Sequence, residues 1–126
     1  MAPRPEGSAP PKSRVLPAGP QTPSEARWFL REALKDHDVT VDVAAAALLT
    51  GELASNAARH GGEPIEMSVN FEDDGLRVSV HDRGSGFDPS DEAIRRGGWG
   101  VRLVDALASD WGVERDEEGT QVWFKI

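Results

Sequence analysis

Hydrophobic residues recur at intervals of three and four in the first patterned segment of the chain. The segment opens with a helix start: Thr22 is predicted to cap it, Pro23 to occupy its first position, and Glu25 to complete a capping box. The apolar positions that follow are Ala26, Phe29, Leu30, Ala33 and Leu34. This spacing predicts an amphipathic helix that ends near Lys35 and buries one face.

A second segment is rich in alanine and apolar around much of a helical circumference. It begins after Thr40, continues through Val41 and reaches about His60, where Gly61 and Gly62 end it. A helix with so few polar positions is typical of a protein interior, so we expect it to pack against the rest of the fold.

From Ile65 the hydrophobic period changes from a helical one to two. Two alternating runs flank Asp74-Gly75, a dipeptide that favours a tight turn, so they predict an antiparallel hairpin with one covered face. The positions predicted to face inward are Ile65, Met67, Val69, Phe71, Leu76, Val78 and Val80.

The C-terminal part begins with glycine-rich sequence and is predicted to contain a third helix from Val101 to about Ser109. A strand from Trp111 to Asp116, a turn at 117–119 and a last alternating run form a second hairpin. Helices and strands in this order predict an α+β protein. We expect a two-layer α/β sandwich whose mixed, mostly antiparallel sheet is covered by helices on one face.

The N-terminal residues differ from the rest in composition. Six of the 9 prolines lie within residues 1–21, and such a segment buries too little apolar surface to offset its ordering entropy. We predict a disordered proline-rich head over 1–13 and one domain over 14–126. Arg14-Val15-Leu16 is predicted to form a short edge strand closed by Pro17.

Composition and charge narrow the class of protein. With 126 residues, of which 38% are hydrophobic, the chain has room for one core. The net charge of -8 argues against nucleic acid and anionic membranes as partners. The absence of cysteine excludes disulfides, thiolate metal sites and a cysteine nucleophile. No apolar run suits a membrane span or a secretory signal, so we expect a cytoplasmic protein.

Three polar residues share one stripe of the second predicted helix: Glu52, Asn56 and His60. For this spacing alone the simpler interpretation is a hydrogen-bonded or partly wetted helix. The alternative is a divalent cation site, because an amide oxygen suits Mg²⁺ and a carboxylate one turn away can act as a base.

Asp82 follows the first hairpin directly, and its parity in the strand places it on the covered face. One interpretation is a glycine turn in which the carboxylate accepts from its own backbone. The other is a buried acceptor for an exocyclic amine such as that of adenine, with Gly84 and Gly86 allowing the backbone to approach the ring.

A third glycine-rich segment, Gly97-Gly98-Trp99-Gly100, opens the third predicted helix. Free N–H groups at a helix start attract anions, whereas the net negative charge of the chain repels them. The P-loop and dinucleotide-fold signatures are absent.

Together these segments resemble a known superfamily. In order they are Glu52-Leu53-Ala54-Ser55-Asn56-Ala57-Ala58-Arg59-His60, Asp82-x-Gly84-x-Gly86, Gly98-x-Gly100-Val101 and Gly119-Thr120. They resemble the N, G1, G2 and terminal Thr boxes of the GHKL ATPases, which share the Bergerat fold. Within this superfamily, the chain most resembles the anti-sigma-factor serine kinases of bacteria in its small size and in the short segment that would form an ATP lid.

The resemblance implies a role for each matching residue. Asn56 would ligate Mg²⁺, Glu52 would act as the general base or as a water-orienting group, and Asp82 would accept from the adenine amine. Thr120, which shares the inward parity of Val122, would support Asp82. The remaining implied nucleotide contacts are Gly84 and Gly86 at the adenine, and Gly98, Gly100 and Val101 at the phosphates.

Other basic residues are implied as candidate phosphate contacts. Arg59 and His60 lie at the end of the second helix, where stabilisation of the helix dipole is an equally good explanation. Arg95 and Arg96 lie in the implied ATP lid over 87–97, with solvated surface charges as the alternative.

The implied function is an ATP- and Mg²⁺-dependent protein serine/threonine kinase. Its expected partners are a STAS-like anti-sigma-factor antagonist, a sigma factor, or both, and a homodimer is a further expectation. The alternative is a catalytically silent module that binds ATP and sequesters its partner. Neither His37 nor His81 is in a context typical of a histidine-kinase phosphoacceptor.

Overall fold

The structure is a computed structural model that describes residues 11–60, 62–72, 75–84 and 104–126. Two helices and five strands follow one another in the predicted order. They are β1 (Lys12–Leu16), α1 (Thr22–Leu34), α2 (Val43–His60), β2 (Ile65–Glu72), β3 (Gly75–Asp82), β4 (Asp110–Asp116) and β5 (Gly119–Lys125). Residues 104–107 form a further helical turn, the described part of the third predicted helix.

The five strands form one sheet in the order β1-β2-β3-β5-β4. Every pairing among the described strands is antiparallel, and both predicted hairpins are present. Because β3 pairs with β5, the last strand of the chain lies inside the sheet and β4 is an edge strand. The predicted α+β sandwich is confirmed.

The core lies between the sheet and the two helices. Inward-facing residues of the central strands are almost fully buried, and Val78 and Phe124 have no exposed surface. These two residues are register partners in β3 and β5. A slip of one residue would turn this buried row toward solvent, so the hydrophobic alternation fixes the register.

The start of α1 differs from the predicted capping box. Gln21 is the N-cap residue and makes no side-chain cap hydrogen bond. The Thr22 hydroxyl accepts from the amide of Gly19 at 2.9 Å and lies within hydrogen-bond distance of the Pro17 carbonyl. Glu25 pairs instead with Arg14 of β1 at 3.6 Å. Thr22 thus contacts the segment between β1 and α1, and Glu25 contacts β1 itself, so the two side chains do not form a capping box. Sequence spacing alone does not reveal these contacts.

Two other boundaries are shifted from the sequence prediction. Helix α2 begins at Val43 rather than Val41, because the Asp42 carboxylate accepts from the amide of Ala45 at 3.1 Å and caps the first turn. Strand β1 begins at Lys12, two residues before the predicted start of the domain. Of the predicted head, residues 1–10 lie outside the described residues.

Within the described ranges, no helix has the combination of length and apolar character required to cross a bilayer.

Candidate functional site

A buried carboxylate marks the end of β3. Asp82 is 3% exposed, and its Oδ1 accepts from the backbone amide of Gly84 at 2.8 Å. The glycine turn that we considered as the simpler interpretation is therefore present. A carboxylate offers about four acceptor positions, so this turn and a ligand's amine do not exclude each other.

The neighbouring strand completes the wall of this turn. Thr120 of β5 is the register partner of Asp82, is 1% exposed, and lies with its Oγ1 3.5 Å from the carbonyl oxygen of Gly84. A distance at the outer limit of hydrogen bonding makes this a weak contact, so burial and register do most to position Thr120.

Gly119 is a site residue that sequence reasoning missed, although it had placed Gly119-Thr120 in a motif. Its φ is +136°, and a Cβ there would lie 1.9 Å from the carbonyl oxygen of Asp82. Only glycine allows β5 to pass this close to the end of β3. The available signal was a glycine directly before a threonine of inward parity.

Gly62 is a second missed residue, since the sequence prediction used it only to end α2. Its carbonyl oxygen accepts from the amide of Arg83 at 3.0 Å. A Cβ at Gly62 would lie 3.3 Å from the amide nitrogen of Gly84. A backbone hydrogen bond thus holds the segment after α2 against the Asp82–Gly84 turn. This turn and the polar stripe of α2 are the two halves of the candidate site.

Helix α2 carries the other half. Glu52 and Asn56 are both half-buried and stand one helical turn apart. Arg59 is exposed, and its Nη2 donates to Oδ1 of Asn56 at 2.8 Å. The amide oxygen therefore already faces a cation in this structure.

The donor chemistry of this stripe fits Mg²⁺. Asn56 supplies an amide oxygen in contact with a positive charge, and Glu52 supplies a carboxylate on the same side of the helix. The described residues contain no group of three or more His, Cys, Asp or Glu side chains that could cage a metal. A single protein oxygen with water and substrate phosphates for the rest is how Mg²⁺ is commonly held.

The structure does not reach every predicted site residue. His60 is the last residue of α2. The remaining candidates lie outside the described residues: Gly86, Arg95, Arg96, Gly98, Gly100 and Val101. The implied lid over 87–97 also lies outside them.

A family profile described as the histidine kinase-like ATPase domain matches residues 16–126. The chain belongs to this family. The match confirms the superfamily resemblance and includes every candidate residue of the site.

Several solved structures are also similar to the chain. The RsbU and RsbW domains of Rv1364c from Mycobacterium tuberculosis match with a TM-score of 0.68 and 25% identity, over 93% of this chain and 32% of that one. The histidine kinase domain of the Erythrobacter litoralis EL346 blue-light activated histidine kinase matches with a TM-score of 0.57 and 21% identity, over 82% and 58%. No curated protein matches the chain.

The chain thus spans about a third of the Rv1364c structure, which contains RsbU and RsbW domains. The Erythrobacter structures, at 21% and 22% identity, show the fold alone. Family and fold together support an ATP-binding, kinase-like regulatory role.

Proposed function

We propose that this domain is an ATP- and Mg²⁺-dependent protein serine/threonine kinase of the anti-sigma-factor type. Its substrate would be a STAS-like anti-sigma-factor antagonist, and a sigma factor would be its second partner. The observation that carries the proposal is the fastening of the end of α2 to the Asp82–Gly84 turn through Gly62. This contact supports the proposal that the helix stripe and the buried carboxylate are parts of one site.

At the base of the site, Asp82 would accept a hydrogen bond from the exocyclic amine of adenine. Burial at 3% exposure supports this role, since a hydrogen bond to a desolvated carboxylate is stronger than the same bond in water. Gly84 would let the backbone approach the ring, and Thr120 would hold the turn from the β5 side. Gly86, Gly98, Gly100 and Val101 are proposed nucleotide contacts on the family resemblance.

On the helix stripe, Asn56 would hold Mg²⁺ through Oδ1. When bound, the metal ion neutralises charge on the phosphates. Glu52 lies one turn earlier on α2, half-buried and within the same stripe. It would orient the substrate hydroxyl and accept its proton as the serine oxygen bonds to the γ-phosphorus and ADP leaves.

The test is phosphotransfer from the full chain to candidate antagonists in the presence of Mg²⁺ and ATP, followed by mass spectrometry of the products. We expect one phosphate on a Ser or Thr of a cognate antagonist. Glu52→Gln should lower the rate by about 10²- to 10⁴-fold and leave nucleotide affinity close to that of the original chain.

A matched control is Glu66→Gln, which removes a carboxylate from an exposed position of β2 and should have no effect on phosphotransfer. Measurable ATP binding without phosphotransfer to any cognate antagonist would overturn the kinase proposal. Partner regulation that survives in Glu52→Gln would then assign the domain to the silent, partner-sequestering class.

A further inference from the structure

The contact between Arg59 and Asn56 has a chemical consequence for the proposed metal site. Arg59 Nη2 lies 2.8 Å from Asn56 Oδ1, the length of a charge-assisted hydrogen bond. The two residues are three apart on α2, so the helix itself brings them together. The oxygen contacted by the guanidinium is the one that the proposed function assigns to Mg²⁺.

We propose that Arg59 is a placeholder cation. It occupies the Asn56 oxygen in the nucleotide-free protein and releases it when Mg²⁺ arrives with the nucleotide. This inference rests on the proposed function and adds to it a competition between one side chain and the metal.

Electrostatics explains why the two cations compete. Mg²⁺ binds oxygen at about 2.0–2.1 Å and demands near-octahedral geometry. A guanidinium that kept its hydrogen bond to the same oxygen would stand within about 5 Å of the doubly charged ion, where like charges repel strongly. Loss of the Arg59 contact therefore favours binding of the metal ion.

The structure provides space for the released side chain. A cavity of about 290 Å³ lies between the segment that leads into α1 and the last turns of α2. It is lined by Gly19, Pro20, Pro23, Ser55, Ala58 and Arg59. Arg59 already borders this cavity, which leaves room for its side chain away from the Asn56 oxygen.

A surface ion-dipole pair near a helix C-terminus is the ordinary alternative, because helix dipoles attract arginine there. A direct contact between Arg59 and a phosphate is the other. The three interpretations predict different effects of Arg59→Ala on the affinity for Mg²⁺-bound nucleotide. A placeholder opposes binding, a surface pair is neutral, and a phosphate contact promotes binding.

Calorimetric titration of the full chain with ADP separates them, because ADP supplies phosphates without turnover. With saturating Mg²⁺ we expect Arg59→Ala to bind ADP about three- to tenfold more tightly than the original chain, the effect of one hydrogen bond that no longer has to be broken. With EDTA in place of Mg²⁺, we expect no such gain.

Arg31→Ala is the matched control, since it removes an exposed arginine from the last turn of α1. It changes the net charge by the same amount and should leave both affinities unchanged. The Asn56 side-chain amide resonance gives a second readout: in nucleotide-free protein, Arg59→Ala should shift it, whereas Arg31→Ala should not.

Unchanged or weaker binding of Mg²⁺ and ADP by Arg59→Ala would overturn the placeholder, and weaker binding would reassign Arg59 to the phosphates. If neither the original chain nor the variant bound ADP, the proposed function would fail, and the placeholder would fail with it. If Arg59→Ala and the original chain bound ADP with equal affinity, only the placeholder would be overturned.

Discussion

The two halves of the site are built in opposite ways. The turn at the end of β3 is buried, with Asp82 and Thr120 at 3% and 1% exposure, and backbone contacts hold it from two sides. On α2, the stripe residues Glu52 and Asn56 are half-buried, and the neighbouring Arg59 is exposed. The hydrogen bond between Asn56 and Arg59 joins two side chains that can change rotamer.

The two halves therefore suit different roles. Groups fixed by strand register and backbone contact are preorganised, so they suit recognition of a rigid ring. Groups on the surface of a helix can exchange one partner for another at small cost, because an exposed pair contributes about 1 kcal/mol or less. We expect substitutions in the turn to affect folding and affinity together, and those on the stripe to affect function alone.

The largest loss of stability is expected for Gly119→Ala. The new Cβ would lie 1.9 Å from the Asp82 carbonyl oxygen, and the alanine would have to adopt a φ of +136°. We expect the free energy of unfolding to fall by roughly 2–4 kcal/mol, measured by urea denaturation followed by tryptophan fluorescence.

Gly112→Ala is the control for that variant, on the other strand of the same hairpin. The atoms nearest to its Cβ would belong to the side chain of Trp123, which can move, so the loss should be smaller. If Gly119→Ala unfolded at the same urea concentration as the original chain, the close approach at Asp82 would not constrain the turn.

Asp82→Asn should weaken ADP binding by about 10- to 100-fold, since the acceptor for the adenine amine loses its charge and part of its accepting capacity. Asp116→Asn is a closely matched control: Asp116 accepts from the amide of Glu118 at 2.8 Å in the same kind of turn, but it is exposed. Equal affinities of the two variants in calorimetry would remove Asp82 from the nucleotide site.

Thr120→Val removes one hydroxyl from the buried wall and keeps the shape. We expect a loss of about 0.5–1.5 kcal/mol in the free energy of unfolding, with ADP affinity lowered by a few-fold. Thr50→Val is the control, because the buried Thr50 hydroxyl has no hydrogen-bond partner among the residues that the structure describes. That substitution should be neutral or stabilising, and a larger loss for Thr50→Val than for Thr120→Val would contradict this assignment.

The smallest change in stability is expected for Asn56→Ala. Alanine gains about 0.5 kcal/mol in helix propensity, which offsets the loss of the contact with Arg59. The free energies of unfolding of the variant and the original chain should therefore agree within about 0.5 kcal/mol, whereas the dependence of nucleotide affinity on Mg²⁺ should disappear. A destabilisation above about 1.5 kcal/mol would instead favour the structural interpretation of the polar stripe.

Local pattern was enough to predict much of the fold. Alternation from Ile65 onward predicted both hairpins, because period two places every second residue on the covered face. It also gave the inward parity of Asp82 and Thr120. The capping box at Thr22 was wrong, because Glu25 pairs with Arg14, a residue on a different element.

The contact between Arg59 and Asn56 was within reach of the sequence, since residues three apart on a helix are neighbours. The role of Gly62 was not, and the only sequence signal for Gly119 was its place directly before a threonine of inward parity. Each glycine allows an approach to the chain at 82–84, and such approaches depend on how α2 and β5 meet the end of β3.

The sequence by itself determined the elements, their buried faces and the polar stripe of α2, because helical and strand periodicity act over a few neighbouring residues. The tertiary structure decided that β5 lies beside β3, that Thr120 stands opposite Asp82, and that Gly62 fastens α2 to the same turn. These contacts join segments that are distant along the chain. They form only when the core packs as a whole, so no local pattern encodes them.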